Sequence, residues 1–139
     1  EAWKGGNMVA TMKVDPEQTA SYGIITPGKT FGNLVEVRGL VEKPKPKDAP
    51  SAIAIVGRYI IQPSVFTTLS THSKGAGGEI QLTDALSKEI GKEPFFGYHF
   101  SGNRFDCGSK LGFLQANIAF ALQRKDLKAP LQNWIKNQF

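Results

Sequence analysis

The run AIAIVGRYII, Ala52 to Ile61, is almost uninterrupted apolar and β-branched, and it limits the possible folds more than any other stretch. A strand apolar on both sides suits the middle of a sheet covered on both faces, which requires helices nearby. The chain supplies them. Pro63 opens a short helix through about Ser70, and EIQLTDALSKEI places Leu82, Ala85, Leu86 and Ile90 on one face before Gly91 stops it. SKLGFLQANIAFALQRK is the longest helical pattern: Ser109 caps it, and Leu111, Leu114, Ile118, Ala121 and Leu122 form its apolar face. Arg124 and Lys125 suit the negative end of its dipole. A last helix, Leu127 to Lys136, carries Trp134.

Other segments read as strands. NMVATMKV, Asn7 to Val14, alternates with Met8, Ala10, Met12 and Val14 on one side; YGIIT, Tyr22 to Thr26, is a second, short strand. A loop through Pro27 and Gly28 to Gly32 leads into NLVEVRGLVEKP, where Val35 and Val37 alternate before Gly39 interrupts, so a hairpin joins the second and third strands. PFFGYHF reads as another strand, and EAWKGG at the start as a helix tail stopped by Gly5 and Gly6. The expected fold class is mixed α/β, with a mixed sheet and flanking helices.

Composition narrows the functional classes. At 139 residues the chain is the size of one ordinary domain and would bury roughly two thirds of its unfolded surface. Its apolar runs fall well short of a membrane span, so no membrane partner is expected. A formal charge of +5 suits phosphate-bearing ligands, but the lysines are scattered and form no dense basic stripe, which argues against nucleic acid. The single Cys107 makes no internal disulfide, and no signal sequence is visible; a cytoplasmic setting is expected.

Three stretches compete for chemistry. In VEKPKPKDAP, Val41 to Pro50, the prolines hold Lys43 and Lys45 extended. The run reads either as a basic surface linker or, with Glu42 and Lys43 side by side, as a ligand clamp. In KGAGGEIQLTD, Gly75, Gly77 and Gly78 precede a helix, as a phosphate cradle or as a flexible loop with a helix cap; no Gly-Lys-Ser/Thr follows, so it is not a P-loop. Glu79 and Asp84 stabilise a helix dipole whether or not they bind anything. In NRFDCGSKLG, Asp106 stands between a strand and a helix beside Gly108, as a Mg²⁺ ligand bridging to phosphate or as a capping acid. His72 and His99 lack metal-ligand spacing.

Taken in order, SYGIITPG, VRGLVEKPKPKDAPS, AIVGRYIIQPSVF, GAGGEIQLTDAL and FDCGSKLGFLQANIAFAL closely resemble the C-terminal half of the bacterial UTP-glucose-1-phosphate uridylyltransferases, within the sugar-nucleotide pyrophosphorylase superfamily, from Glu1 to about Leu127. The resemblance implies a Rossmann-like nucleotide-diphospho-sugar transferase fold. Residues 1–139 would be its sugar-phosphate-binding portion, and 127–139 a C-terminal helix. It implies that Gly23 lies against the sugar, Glu42 accepts sugar hydroxyls, Lys43 contacts the sugar's phosphate, and Asp106 is the second magnesium-binding aspartate. Lys43 and Asp106 would thus serve catalysis, with Mg²⁺ as cofactor. Adjacent strand residues point to opposite faces, so Glu42 and Lys43 reach one ligand only if the strand ends or bulges there, as Gly39 and Pro44 permit.

The implied partners are UTP, glucose 1-phosphate and UDP-glucose, with a different base or sugar as the nearest alternative and a noncatalytic basic binding module as the more distant one. The family's glycine-rich nucleotide loop and first magnesium aspartate would lie upstream of Glu1, so the chain alone is expected to lack appreciable uridylyltransferase activity. Missing strands predict an open sheet edge and an uncovered apolar face around the first strand and Ala52 to Ile61, favouring a homo-oligomer in which Trp134 and Phe139 take part.

Overall fold

A chain reverses direction in two residues most easily where one of them accepts a positive φ, and Gly32 does so at +60°. In this computed structural model, which describes residues 5–71 and 80–138, Gly32 and Asn33 turn the chain between strands β2 (Gly23–Phe31) and β3 (Leu34–Glu42). The predicted hairpin is present, but its first arm is longer than expected. Pro27 and Gly28 belong to β2, because the register shifts on both sides of Pro27 and its missing N–H falls at an irregularity of the ladder. Gly39 does not interrupt β3; it pairs with Thr26.

The chain divides into two units, Glu1–Phe100 and Ser101–Phe139. In the first, β1 (Asn7–Lys13), β4 (Ile53–Ile60) and β5 (Phe95–His99) join the hairpin in the order β1-β4-β2-β3-β5, and β1 pairs with β5 to close the ring. The β1–β5 pairing is parallel and the others are antiparallel, so the sheet is mixed, as the sequence indicated. Closure overturns the expectation of an open edge, since every one of these strands has two neighbours.

Strand β4 is buried from both sides only over Ala54–Val56; from Gly57 to Ile60 it is exposed. Gly57, at φ +67°, sits where β4 runs two residues ahead of β1, a bulge that bends the apolar run out of the core. The more deeply buried side of β1 carries Asn7, Val9 and Thr11, while the side predicted from Met8, Ala10, Met12 and Val14 is half-buried. Both sides are used. Val9, Ile25, Val35, Val37, Ile55 and Phe95 build the main core with Val65 of helix α1 (Pro63–Ser70) and Ala85 and Leu86 of α2 (Leu82–Glu89). Ala10, Met12 and Val14 pack on a smaller cluster of Ile24, Ala54 and Val56.

Two polar side chains in this core tie its elements together. Asn7 accepts the Gln62 N–H on Oδ1 at 2.8 Å, tying the start of β1 to the entrance of α1. Glu89, only 3% exposed at the end of α2, was not foreseen among the apolar periodicity. It accepts from Thr68 Oγ1 at 2.6 Å and pairs with Lys92 Nζ at 3.0 Å, linking the two helices.

In the second unit, Ser109 Oγ accepts the Gly112 N–H at 3.0 Å and caps α3 (Lys110–Gln123), as its position in the sequence indicated. Arg124 ends α3 and opens α4 (Lys125–Lys136), where its guanidinium forms a fork with both oxygens of Asp126. The side of α3 buried in this chain is Gly112 and Ala116. Leu111, Leu114 and Ile118 of the expected apolar face are exposed, as is Trp134.

The Thr68 hydroxyl, and then Lys92, hold the Glu89 carboxyl below its ordinary range. A carboxylate depressed by folding stabilises the native state above its unfolded titration, and that contribution is lost as pH falls through the folded value. Glu89→Gln is therefore expected to lower the melting temperature at pH 7. The gap to the unsubstituted chain should close as pH drops below about 4. A gap that is constant with pH, in calorimetric melts from pH 7 to 3, would contradict this role.

Candidate functional site

The far end of the β2–β3 hairpin places Gly23 directly opposite Glu42. With no Cβ on Gly23, the Glu42 carboxylate can lie against the backbone; a methyl group there would stand 3.1 Å from Oε2 and 3.6 Å from Ile55 Cδ1. Thr83, in the first turn of α2, donates its hydroxyl to Glu42 Oε2 at 2.7 Å. The Glu42 side chain is 21% exposed and that of Lys43 is 62% exposed. The acid is held at the wall and the base reaches into solvent.

The strand-parity difficulty is resolved by the backbone. β3 ends at Glu42. Lys45 is extended, as expected ahead of a proline, but Lys43, ahead of Pro44, is not: it takes φ +44°, the only positive φ at a non-glycine residue among those described. Its N–H donates to Tyr22 O at 3.0 Å, so the hairpin's last hydrogen bond holds the unusual conformation in place. Lys43 is thereby turned towards the side of Glu42, with Nζ 4.0 Å from Oε1. Lysine in the left-handed region is strained by roughly 1–2 kcal/mol, and such strain persists where the surrounding structure over-determines it, often at functional sites. A surface spacer of the composition KPKPK does not call for it. Beyond the clamp, Pro46–Asp48 form a single turn and Lys45 and Lys47 are exposed.

Tyr59, at the exposed end of β4, lies close enough to the same acid to feel its charge. Its phenol is pushed above the usual tyrosine range, first by burial and then by the charge of Glu42. Neither Thr83 nor Tyr59 was singled out from sequence. The available signals were faint: a hydroxyl beside the buried face of an amphipathic helix, and an aromatic with a polar tip at the end of an apolar strand.

Gly23, Glu42 and Lys43 are thus brought together. Asp106 belongs to the second unit. Its Oδ1 accepts the Gly108 N–H at 3.1 Å, and its main-chain oxygen accepts from both the N–H and the hydroxyl of Ser109. It organises the turn before α3, while its exposed carboxylate stays accessible from solvent. Among the described residues no three acids, histidines or cysteines cluster as a cage for a metal ion. A single accessible carboxylate fits Mg²⁺, which takes one or two carboxylates and fills its other positions with water and phosphate oxygens. Gly75, Gly77, Gly78, Glu79 and His72 lie outside the described residues, as do Trp3 and Phe139.

A separate open cavity of about 420 Å³ is lined in part by Lys29, Phe31, Glu36, Arg38 and Phe96, and contains none of the predicted site residues. On its wall Glu36 accepts the Lys29 main-chain N–H and pairs with Arg38, which together hold its carboxyl below the ordinary range.

Residues 1–123 match the family described as nucleotidyl transferase. A UTP–glucose-1-phosphate uridylyltransferase of Komagataeibacter xylinus is 51% identical over 131 residues, 94% of this chain and 44% of that protein. Another, from Staphylococcus saprophyticus, is 44% identical over 132 residues, 95% of this chain and 46% of that protein. Among solved structures, a UDP-glucose pyrophosphorylase complexed with UDP-glucose matches with a TM-score of 0.79 at 38% identity, covering 86% of this chain and 45% of that one. A UTP-bound UGPase from Acinetobacter baumannii gives 0.79 at 30% identity, covering 94% of this chain and 45% of that one. The chain spans just under half the length of the relatives it matches.

The strain at Lys43 generates a test that needs no ligand. Lys43→Gly relieves the left-handed conformation, and part of that gain is offset by the greater freedom of glycine in the unfolded chain. A net stabilisation of about 0.5–1 kcal/mol is expected, read from urea denaturation midpoints. Lys43→Ala keeps the strain and should show no such gain. Equal midpoints for the two variants would remove the argument from strain.

Proposed function

Because the chain belongs to the nucleotidyl transferase family, we propose that it forms the sugar-phosphate-binding part of a UTP–glucose-1-phosphate uridylyltransferase. The reaction joins UTP and glucose 1-phosphate into UDP-glucose and pyrophosphate. The observation that carries this reading is the convergence of Gly23, Glu42 and a strained Lys43 at one hairpin end. A shielded carboxylate beside an exposed ammonium matches a ligand that has hydroxyls at one end and phosphate at the other.

In this reading Glu42 accepts hydrogen bonds from sugar hydroxyls, and the ring lies beside the backbone at Gly23, whose missing side chain makes room for the carboxylate. Lys43 holds the phosphate of glucose 1-phosphate, one oxygen of which attacks the α-phosphorus of UTP in line as pyrophosphate leaves. The chain's own contribution is to fix that phosphate and to offset its charge, so that nucleophile and electrophile meet already oriented. Mg²⁺, when bound, would neutralise charge on the phosphate oxygens, and Asp106 is the residue of this chain that would hold it. The exposed apolar side chains of α3 and Trp134 of α4 support self-association of the enzyme through its C-terminal helices.

Calorimetric titration with UDP-glucose and Mg²⁺ tests the reading. The unsubstituted chain is expected to bind, and Glu42→Ala and Lys43→Ala are each expected to weaken binding at least tenfold. A hydrogen bond to a charged group contributes about 1.5–3 kcal/mol, and about 1.4 kcal/mol corresponds to a factor of ten. Circular dichroism checks that each variant is folded. Unchanged affinity in both would overturn the assignment of the clamp.

A further inference from the structure

The two oxygens of the Glu42 carboxylate are not equivalent. Oε2 faces the wall made by Gly23 and receives the Thr83 hydroxyl at 2.7 Å, while Oε1 is the oxygen facing Lys43 Nζ, at 4.0 Å. A glutamate has three side-chain torsions, and at 21% exposure this one could turn towards water or fold onto the lysine if nothing held it. The bond from Thr83 crosses from α2 to the end of β3, between elements distant in sequence, and both ends are anchored. α2 is pinned by the fully buried Ala85 and Leu86, and β3 by its pairing with β2.

We propose that Thr83 is a positioning residue that divides the Glu42 carboxylate, committing Oε2 to the protein and leaving Oε1, next to Lys43, as the oxygen that receives the ligand's hydroxyl. This deepens the function proposed above and rests on it for the identity of the ligand. The chemistry has a specific consequence. With one oxygen spent, the acid presents one directed acceptor beside one cation instead of a carboxylate free to chelate that cation. The acid and base therefore stay separated, at the outer limit of an ion pair, and each remains available to a different part of the ligand. Without the hydroxyl, Glu42 gains by turning towards Lys43 and its directed acceptor is withdrawn from the sugar, while the exposed ammonium still reaches a phosphate.

Tyr59 supplies an internal reporter. Burial raises its phenol first, and the nearby charge of Glu42 raises it further, so its titration senses where the carboxylate sits. Among the described residues Lys43 pairs with that carboxylate as well.

The test compares Thr83→Val, which keeps the shape and removes the hydroxyl, with Thr83→Ser, which restores it. Tyr59 is titrated by NMR in the unliganded chain, with Glu42→Gln giving the full size of the charge effect. Binding of glucose 1-phosphate and of inorganic phosphate is measured by calorimetry. Thr83→Val should move the Tyr59 midpoint towards that of Glu42→Gln and weaken glucose 1-phosphate about tenfold, with inorganic phosphate weakened much less. Thr83→Ser should restore both the midpoint and the affinity. A Tyr59 midpoint unchanged by Thr83→Val while Glu42→Gln lowers it would overturn the proposal, as would equal loss of both ligands. If the unsubstituted chain binds no glucose 1-phosphate, the sugar-phosphate reading fails, and the Tyr59 titration alone decides whether Thr83 fixes the acid.

Discussion

The register of the β2–β3 hairpin is the constraint on which the rest of the site depends. A two-residue turn at Gly32 and Asn33 sets the pairing at one end, and the irregularities around Pro27 adjust it along the way. At the other end they leave Gly23 opposite Glu42 and the Tyr22 carbonyl within reach of the Lys43 N–H. A slip of one residue would turn every side chain of β3 to the other face. Glu42 would then meet the opposite side of the sheet, and the buried Val35 and Val37 would leave the core. The hydrophobic pattern that stabilises the strand therefore also aims the acid.

The second element of the site arrives by packing. α2 is held against the sheet by Ala85 and Leu86 and tied to α1 through Glu89, so its first turn has little freedom to move away from β3. Thr83 in that turn thus meets the carboxylate as a consequence of core packing two and three residues further along the helix. The polar contact in the site and the apolar contacts beneath it are two sides of one helical turn.

Much of this was legible in the sequence, for reasons that can be traced. Alternating apolar residues located β1 and β3, Pro63 marked the start of α1, and Ser109 marked that of α3 because its hydroxyl has a free N–H to satisfy at the helix entrance. The pair Glu42 and Lys43 stood out because the prolines after it forbid a helix. Less could be read where the answer depended on partners remote in the chain. The extent of β2 beyond Pro27 is fixed by its pairing with β3, and the exposure of β4 after Gly57 by a bulge against β1. Ring closure is a property of β1 and β5 together, which no local pattern contains. Thr83 and Tyr59 became site candidates only when folding brought them to Glu42. The positive φ of Lys43 was the least accessible feature, since a lysine before a proline gives no warning of it.

Closure of the ring also bears on how the first unit is assembled. Asn7 pairs with Phe95, residues near its two ends, so β1 cannot gain its parallel neighbour until nearly the whole unit has been synthesised. Contacts of such sequence separation carry the largest loop-closure cost and slow the search for the native state. Until β5 arrives, β1 lacks the parallel neighbour it has in the described sheet, and an unpaired strand flank is the kind of surface that chaperones shield on a growing chain. The seam that leaves the finished sheet without an edge is thus the part that stays open longest while it forms.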